Sequence, residues 1–144
     1  MEPGMIDRNG HRFGAGISAV VLAVCAVLDW RAAVPVMAVV LGMGALFGLR
    51  YSLLGATYRF LKRTLKLRIP SVLEEEAPPR FAQLMGLIFL GIATVGFYVL
   101  DSTATGWSFT LIVVGLQTLL AVSGVCVGCE VYLIGKRFSA RGAT

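Results

Sequence analysis

Four long runs of uncharged residues divide the chain. They contain 16, 18, 20 and 28 residues and cover positions 13–28, 32–49, 81–100 and 102–129. An α-helix rises about 1.5 Å per residue and the hydrocarbon core of a bilayer is about 30 Å thick, so each run has roughly the length of a membrane span. The pattern predicts helices over residues 13–29, 32–49, 81–100 and 107–135.

The fourth run is too long for one straight crossing. As a helix its residues would extend about 42 Å, so the helix must tilt, protrude or break, and Ser123 and Gly124 offer a place for a break. No run alternates apolar and polar residues as a transmembrane barrel strand does. The chain is therefore predicted to be an all-α, integral membrane four-helix bundle of two helical hairpins, in a single membrane domain over residues 1–144.

The segment between the second and third runs predicts an amphipathic helix over residues 52–68. Apolar residues recur there at helical spacing, namely Leu54, Tyr58, Leu61 and Leu65. Basic residues occupy the other faces, which is typical of a helix that lies in the membrane interface. This helix can contact anionic lipids or an acidic partner protein, or it can be a solvated anchor.

Composition supports the membrane assignment and narrows the function. Hydrophobic residues make up 57% of the chain and charged residues 15%, with a mean hydropathy of +0.80. Ordinary soluble domains contain about 25% charged residues. An ordinary soluble enzyme and a disordered chain are both excluded.

The basic residues orient the predicted bundle. If the four helices cross in alternating directions, every Lys and Arg except Arg31 falls on one side of the membrane. The positive-inside rule then places both termini and the middle loop in the cytoplasm. These basic residues adjoin membrane spans and form no recognition motif, so we expect no nucleic-acid partner.

The two halves of the chain have similar landmarks. Arg12 and Phe13 open the first predicted helix, and Arg80 and Phe81 open the third, at an offset of 68 residues. Each half would then be a hairpin that enters from the cytoplasm, which makes a parallel repeat. The alternative is that any inward-anchored helix has an arginine and an aromatic residue at this place.

The sharpest chemical feature is the pair of Cys126 and Cys129 near the end of the fourth helix. Thiols at this spacing exchange with disulfides or persulfides, one attacking and the other resolving. The alternative is structural, because small cysteines together with Gly124 and Gly128 also allow tight helix packing.

A metal site is a further alternative for the same two thiols. Zinc takes four ligands, and one chain offers only the cysteine pair, Glu130 and His11 on the same predicted side of the membrane. A four-thiolate site shared by two chains would fit a metal better, and we predict no metal ion and no resident cofactor. Cys25 is expected near the opposite end of the bundle, too far from Cys126 for a disulfide.

Several polar residues are predicted to support the cysteine pair. Gln83 and Gln117 lie within spans and either line a polar interior or bond between helices. Arg12 and Arg80 fall at the same predicted membrane edge as the thiols, where guanidinium groups stabilise a thiolate or hold an oxyanion such as thiosulfate. Glu130 can accept a proton or oppose thiolate formation.

Three stretches of sequence together resemble one protein family. They are residues 6–13 (IDRNGHRF), residues 78–83 (PPRFAQ) and residues 124–130 (GVCVGCE) with Tyr132. In this combination the chain resembles the DUF4395 family of small bacterial integral membrane proteins. The family usually has proline in place of Arg8 and often phenylalanine in place of Val125. The resemblance implies a four-helix membrane protein of unestablished activity, whose relatives are encoded near thioredoxin-like and rhodanese-type sulfurtransferase proteins.

Three functional hypotheses follow. The leading one is a thiol or persulfide relay, in which Cys126 attacks, Cys129 resolves and a cytoplasmic thioredoxin-like or sulfurtransferase partner exchanges with the pair. The second is a transporter or channel subunit for a sulfur compound or another small solute, which needs a homo-oligomer because four helices leave little room. The third is a membrane scaffold that recruits a cytoplasmic partner through Lys62, Arg63 and Lys66.

Overall fold

Six α-helices and one short β-ribbon make up the part of the chain that the computed structural model describes, residues 5–70 and 72–142. Strand β1 is followed by three helices, and strand β2 is followed by three more. The bounds are β1 Met5–Asp7, α1 Arg8–Val27, α2 Ala33–Phe47, α3 Leu53–Thr64, β2 Leu73–Glu75, α4 Ala77–Tyr98, α5 Thr103–Ser123 and α6 Val127–Gly142. A single 3₁₀ turn, Leu49–Tyr51, precedes α3. The expectation of an all-α protein is confirmed.

Helices α1, α4 and α5 begin about four residues before the positions expected from the uncharged runs, because capping residues extend them. The Asp7 carboxylate accepts a hydrogen bond from the Asn9 amide at the start of α1, and the Ser102 hydroxyl does the same for Thr105 in α5. Two prolines occupy the first turn of α4, where no amide partner is lost. Charge patterning finds the apolar body of a helix but not its cap.

The helix expected over 107–135 is divided into α5 and α6. Gly124 adopts a left-handed backbone with φ of 76°, which ends α5. The carbonyls of Ala121 and Val122 lose their helical partners there, and the Arg12 guanidinium donates to them at 3.0 and 3.2 Å. The excess length of the run thus becomes a separate helix.

The amphipathic helix predicted over 52–68 is present as α3 but is shorter. It ends near Leu65, and Lys66 takes a left-handed backbone with φ of 49°. Leu54, Tyr58 and Leu61 are buried or half-buried, as expected, while Leu65 is exposed. The apolar face of α3 packs on α1, so this helix is part of the folded unit.

The two halves share several contacts, although α4 packs on α5 far more extensively than α1 packs on α2. In each half the first helix packs on the second helix of the other half, as α1 does on α5 and α4 on α2. In each half the third helix covers the first, as α3 does α1 and α6 does α4. Strands β1 and β2 pair antiparallel with Ile6 opposite Glu74, again 68 residues apart. These exchanges are what a parallel repeat produces when its two copies interlock.

Side-chain contacts repeat the same symmetry. Phe13 in α1 packs against Tyr58 with ring centroids 5.4 Å apart, and Phe81 in α4 packs against Tyr132 at 5.6 Å. As Arg12 caps α5, Arg80 donates to the carbonyl of Ala45 at 3.0 Å and to that of Leu46 at 3.2 Å, at the end of α2. The arginine and aromatic landmarks of the sequence therefore have the same structural role in both halves.

The helices bury a small core and expose many large apolar residues. The core includes Leu22, Val34, Leu41, Leu90, Phe97 and Val113. Helices α1, α4 and α5 are long and apolar enough to cross a membrane, and α2 is a shorter apolar helix of 15 residues. Apolar side chains on their outer faces, such as Val20, Val36 and Ile88, are exposed, which suits contact with lipid. The chain thus has the helices of a membrane protein, and its number of crossings stays a prediction.

Replacing Arg80 with alanine is expected to lower the free energy of unfolding by about 1–3 kcal/mol, because the carbonyls of Ala45 and Leu46 lose their donor. Arg68 is exposed, so Arg68→Ala is the matched control, with an expected change below about 0.5 kcal/mol. Unfolding of the detergent-solubilised protein by increasing fractions of sodium dodecyl sulfate measures both values. Equal unfolding midpoints for the two variants would contradict the capping role of Arg80.

Candidate functional site

The cysteine pair lies where α6 begins, immediately after the break at Gly124. Cys126 and Cys129 are joined by a disulfide, with their Cα atoms 5.1 Å apart, inside the usual range for such a bond. The backbone amide of Cys129 donates to the Cys126 sulfur at 3.3 Å, so Cys126 caps the helix as a serine would. The Cys126 sulfur is therefore held by a hydrogen bond from the first turn of α6.

A cavity of about 230 Å³ lies beside this disulfide. All six helices contribute to its wall, and Cys126 is part of the lining. The wall is mainly apolar, with contributions from Leu41, Phe89, Val113 and Leu116. The cavity is several times larger than one water molecule, so it can hold a small organic molecule.

Five buried side-chain polar atoms without a hydrogen-bond partner in the protein belong to residues that line this cavity. They are His11 Nε2, Ser52 Oγ, Tyr58 Oη, Gln83 Oε1 and Gln117 Oε1. Among the residues that the structure describes, only one other buried side-chain nitrogen or oxygen is unpaired, Arg12 Nε. Buried polar groups in folded proteins nearly always have partners, so this concentration in one place indicates a site that receives a polar molecule.

His11 is the basic group nearest to the disulfide. One of its ring nitrogens and the sulfurs of Cys126 and Cys129 all lie within 4.8 Å of one another. An imidazole at this distance can take a proton from a thiol as the disulfide is reduced and reformed. The reduced pair with His11 would also offer three ligands to a metal ion, one fewer than a structural zinc site requires.

Charged residues and Tyr58 form one part of the cavity wall. Lys62 in α3 pairs with Asp7 at 3.5 Å, and its ammonium lies 5.8 Å from the centre of the Tyr58 ring. Burial raises the pKa of Tyr58 above its ordinary value, and the negative charge of Asp7 raises it further. The Tyr58 hydroxyl is therefore protonated at neutral pH and can donate a hydrogen bond into the cavity.

The residues predicted to support the thiols separate into two groups. Gln83 and Gln117 line the cavity together with Cys126. Arg12 caps α5 beside the break, and Arg80 binds the end of α2, so both guanidinium groups are engaged by backbone carbonyls. Glu130 lies in the first turn of α6, and its side chain is exposed. The arginines position helices, and the glutamines belong to the cavity.

Sequence reasoning missed three of the residues with unpaired polar atoms. His11 was considered only as a metal ligand, and Ser52 and Tyr58 belong to a segment interpreted as an interfacial helix. The equivalence of the two halves is a signal that could have found Ser52, since Ser52 precedes α3 as Cys126 precedes α6. Cys25 is buried and unpaired near the end of α1, away from the break.

A family model described as "Domain of unknown function (DUF4395)" matches residues 6–137. The chain belongs to the DUF4395 family. The matched region of this DUF4395 protein includes both halves of the repeat, the cavity and the cysteine pair. No curated protein and no solved structure matches this chain. The family assignment expected from the three sequence stretches is confirmed.

Proposed function

We propose that this DUF4395 protein exchanges thiols and disulfides, or transfers sulfur, at the bacterial inner membrane through Cys126 and Cys129. The observation that carries the proposal is the disulfide at the start of α6 beside a cavity with unpaired polar atoms. A pair used only for helix packing would need no such cavity. Gly128, between the two cysteines, accounts for the packing, because a Cβ atom added there would lie 2.7 Å from the Ala82 Cβ of α4.

The exchange with a partner disulfide has balanced steps. The Cys126 thiolate attacks one partner sulfur, forming a mixed disulfide as the second partner sulfur leaves as a thiolate. The Cys129 thiolate then attacks Cys126, closing the internal disulfide and releasing the first partner sulfur as a thiolate. The partner gains two electrons and the pair loses two, and the same steps run in reverse when a partner dithiol reduces the internal disulfide.

The start of α6 favours Cys126 as the attacking thiol. The amide of Cys129 that donates to the Cys126 sulfur also stabilises a negative charge there, as does the dipole of the helix. Cys126 lines the cavity, and His11 nearby can accept the thiol proton. Glu130 opposes the thiolate, but its exposed charge is screened by water and salt.

The proposed topology places this chemistry at the cytoplasmic edge. Arg8 and Arg12 of α1 donate to the carbonyls around Gly124, so the break shares the membrane side of the basic amino terminus.

The proposed partner is a thioredoxin-like or rhodanese-type protein. With a persulfide partner, the Cys126 thiolate takes the outer sulfur and the partner leaves as a thiolate. The disulfide lies beside a cavity whose lining residues carry unpaired polar atoms, and this favours the relay over the oligomeric transporter and the scaffold.

Mixed-disulfide trapping tests the proposal. Cys129→Ser cannot resolve, so we expect its Cys126 thiolate to form a lasting adduct with a thioredoxin-like protein whose single remaining cysteine carries a thionitrobenzoate group, which leaves as a thiolate. Non-reducing gels of membranes detect the adduct, and Cys25→Ser with Cys129→Ser is the matched control, which should trap equally. Adduct that persists after Cys126→Ser is added to Cys129→Ser would contradict the proposal. Labelling of the reduced pair only from the periplasmic face would contradict the topology.

A further inference from the structure

The cavity next to Cys126 has a mainly apolar wall that includes several polar residues. We propose that it binds the ring of a lipid-soluble quinone, which oxidises the reduced Cys126 and Cys129 pair to the disulfide. This inference rests on the proposed thiol exchange and supplies the acceptor for the two electrons that a partner dithiol delivers.

The residues that line the cavity suit both the apolar faces of a quinone ring and its two carbonyl groups. Apolar side chains form most of the surface, including Leu41, Phe89, Val113, Leu116 and Leu120, and they suit the flat faces. The Tyr58 and Ser52 hydroxyls are unpaired donors for the quinone carbonyls. After reduction those carbonyls become hydroxyls, and the unpaired oxygen of Gln117 can accept from one of them.

The position of the cavity favours a carrier that dissolves in the bilayer. Helices α1, α4 and α5, which are long enough to cross a membrane, all contribute to its wall. A nicotinamide or flavin dinucleotide carries phosphates that need several cationic or amide donors. Here the two cationic side chains of the wall, Arg59 and Lys62, already have interaction partners and most of the wall is apolar, so an uncharged ring is the better match.

The redox step balances without another reactant. The Cys126 sulfur, which lines the cavity, bonds to the quinone ring as a thiolate. The Cys129 thiolate then attacks Cys126, forming the disulfide and breaking the sulfur–ring bond, whose electron pair stays on the ring. The two thiols have lost two electrons and two protons, and the ring has gained both to become a quinol. His11 lies close enough to both sulfurs to pass a proton.

Anaerobic oxidation of the reduced protein in liposomes tests this inference. The full chain, reduced and freed of reductant, is mixed with ubiquinone-1, a short-chain quinone, and the ultraviolet absorbance of the quinone is followed. We expect one quinone to be reduced per chain, while the three free thiols of the chain fall to one, that of Cys25. Tyr58→Phe and Gln117→Leu should each raise the half-saturating quinone concentration by about tenfold, the effect of one lost hydrogen bond.

Control variants separate binding in the cavity from general thiol reactivity. Thr118 neighbours Gln117 in α5 but binds the carbonyl of Val114, so Thr118→Val should leave the quinone dependence unchanged. Equal quinone dependence in Tyr58→Phe, Gln117→Leu and the unmodified chain would overturn the inference, as would a stable covalent quinone adduct seen by mass spectrometry. Thiols that stay reduced with quinone, while the partner still exchanges, would overturn the inference and leave the proposed function standing. If the cysteine pair reacted with neither the quinone nor the thiol partner, both the inference and the proposed function would be wrong.

Discussion

Replacing Cys126 with serine is expected to lower the rate of exchange with a thioredoxin-like partner by about 10³-fold or more, the usual effect of removing a nucleophile. A hydroxyl at this position keeps the helix cap but does not form a disulfide. Cys129→Ser should behave differently, because its first step still occurs and only the resolution of the mixed disulfide is lost. The measurement is the rate of partner thiol appearance after mixing with reduced protein in liposomes.

Cys25 provides the matched control for this prediction. It is buried and unpaired near the far end of α1, so Cys25→Ala should exchange at about the rate of the unmodified chain. A Cys126→Ser protein that exchanges within tenfold of the unmodified rate would show that Cys126 is not the attacking thiol. If Cys129→Ser and Cys126→Ser lose the same step, the assignment of attack and resolution is wrong.

Gly128→Val is expected to destabilise the protein by about 3 kcal/mol, the upper part of the usual range for overpacking. A Cβ atom at this position would lie 2.7 Å from the Ala82 Cβ and 2.8 Å from its Cα, and backbone cannot move aside as a flexible side chain does. Helix α6 must therefore shift away from α4 and take the cysteine pair with it. We expect lower stability in the same detergent unfolding assay and faster thiol labelling of the reduced pair.

Gly135 lies in the same helix and provides the opposite case. A Cβ atom there meets nothing within 4 Å, so Gly135→Ala should stabilise the protein by about 0.5–1 kcal/mol through the higher helix propensity of alanine. Similar destabilisation at both positions would show that α6 tolerates no change at all. Unchanged stability of Gly128→Val would contradict the close packing of α6 on α4.

The contacts of Gly128 and Cys126 also bear on the two interpretations of the cysteine motif, helix packing and thiol chemistry. Packing and chemistry are alternatives for the same residues in the sequence, but in the fold the close helix contact is made by Gly128. Gly128 packs against Ala82, and Cys126 lines the cavity beside this contact. A glycine needed for close approach therefore says nothing against a chemical role for its neighbours.

Local pattern predicted the apolar helices and α3, but not the ribbon of β1 and β2 or the separate helix α6. Charges are costly inside a bilayer, so uncharged runs mark the apolar helices, and the excess length of the last run showed that it had to tilt, protrude or break. The start of α1 differed because its cap, Asp7, is charged and falls outside an uncharged run. These features depend on neighbours within a few turns of the same helix, which sequence periodicity reports directly.

The candidate site was only partly predictable for a physical reason. The cysteine pair and its place after the break follow from spacing along one segment. The unpaired atoms of His11, Tyr58, Gln83 and Gln117 come from four different helices, and nothing in their local sequence says that they line one cavity. Arg12 and Arg80 were expected beside the thiols because they share a membrane depth, but depth does not fix the direction around a helix axis.

The sequence by itself determined the apolar helices, the excess length of the last run, the family and the position of the cysteine pair. The tertiary structure decided how the two halves interlock, which carbonyls the arginines cap and which polar groups surround Cys126. Helix formation depends on contacts a few residues apart, whereas the cavity exists only because helices from both halves cross beside the start of α6.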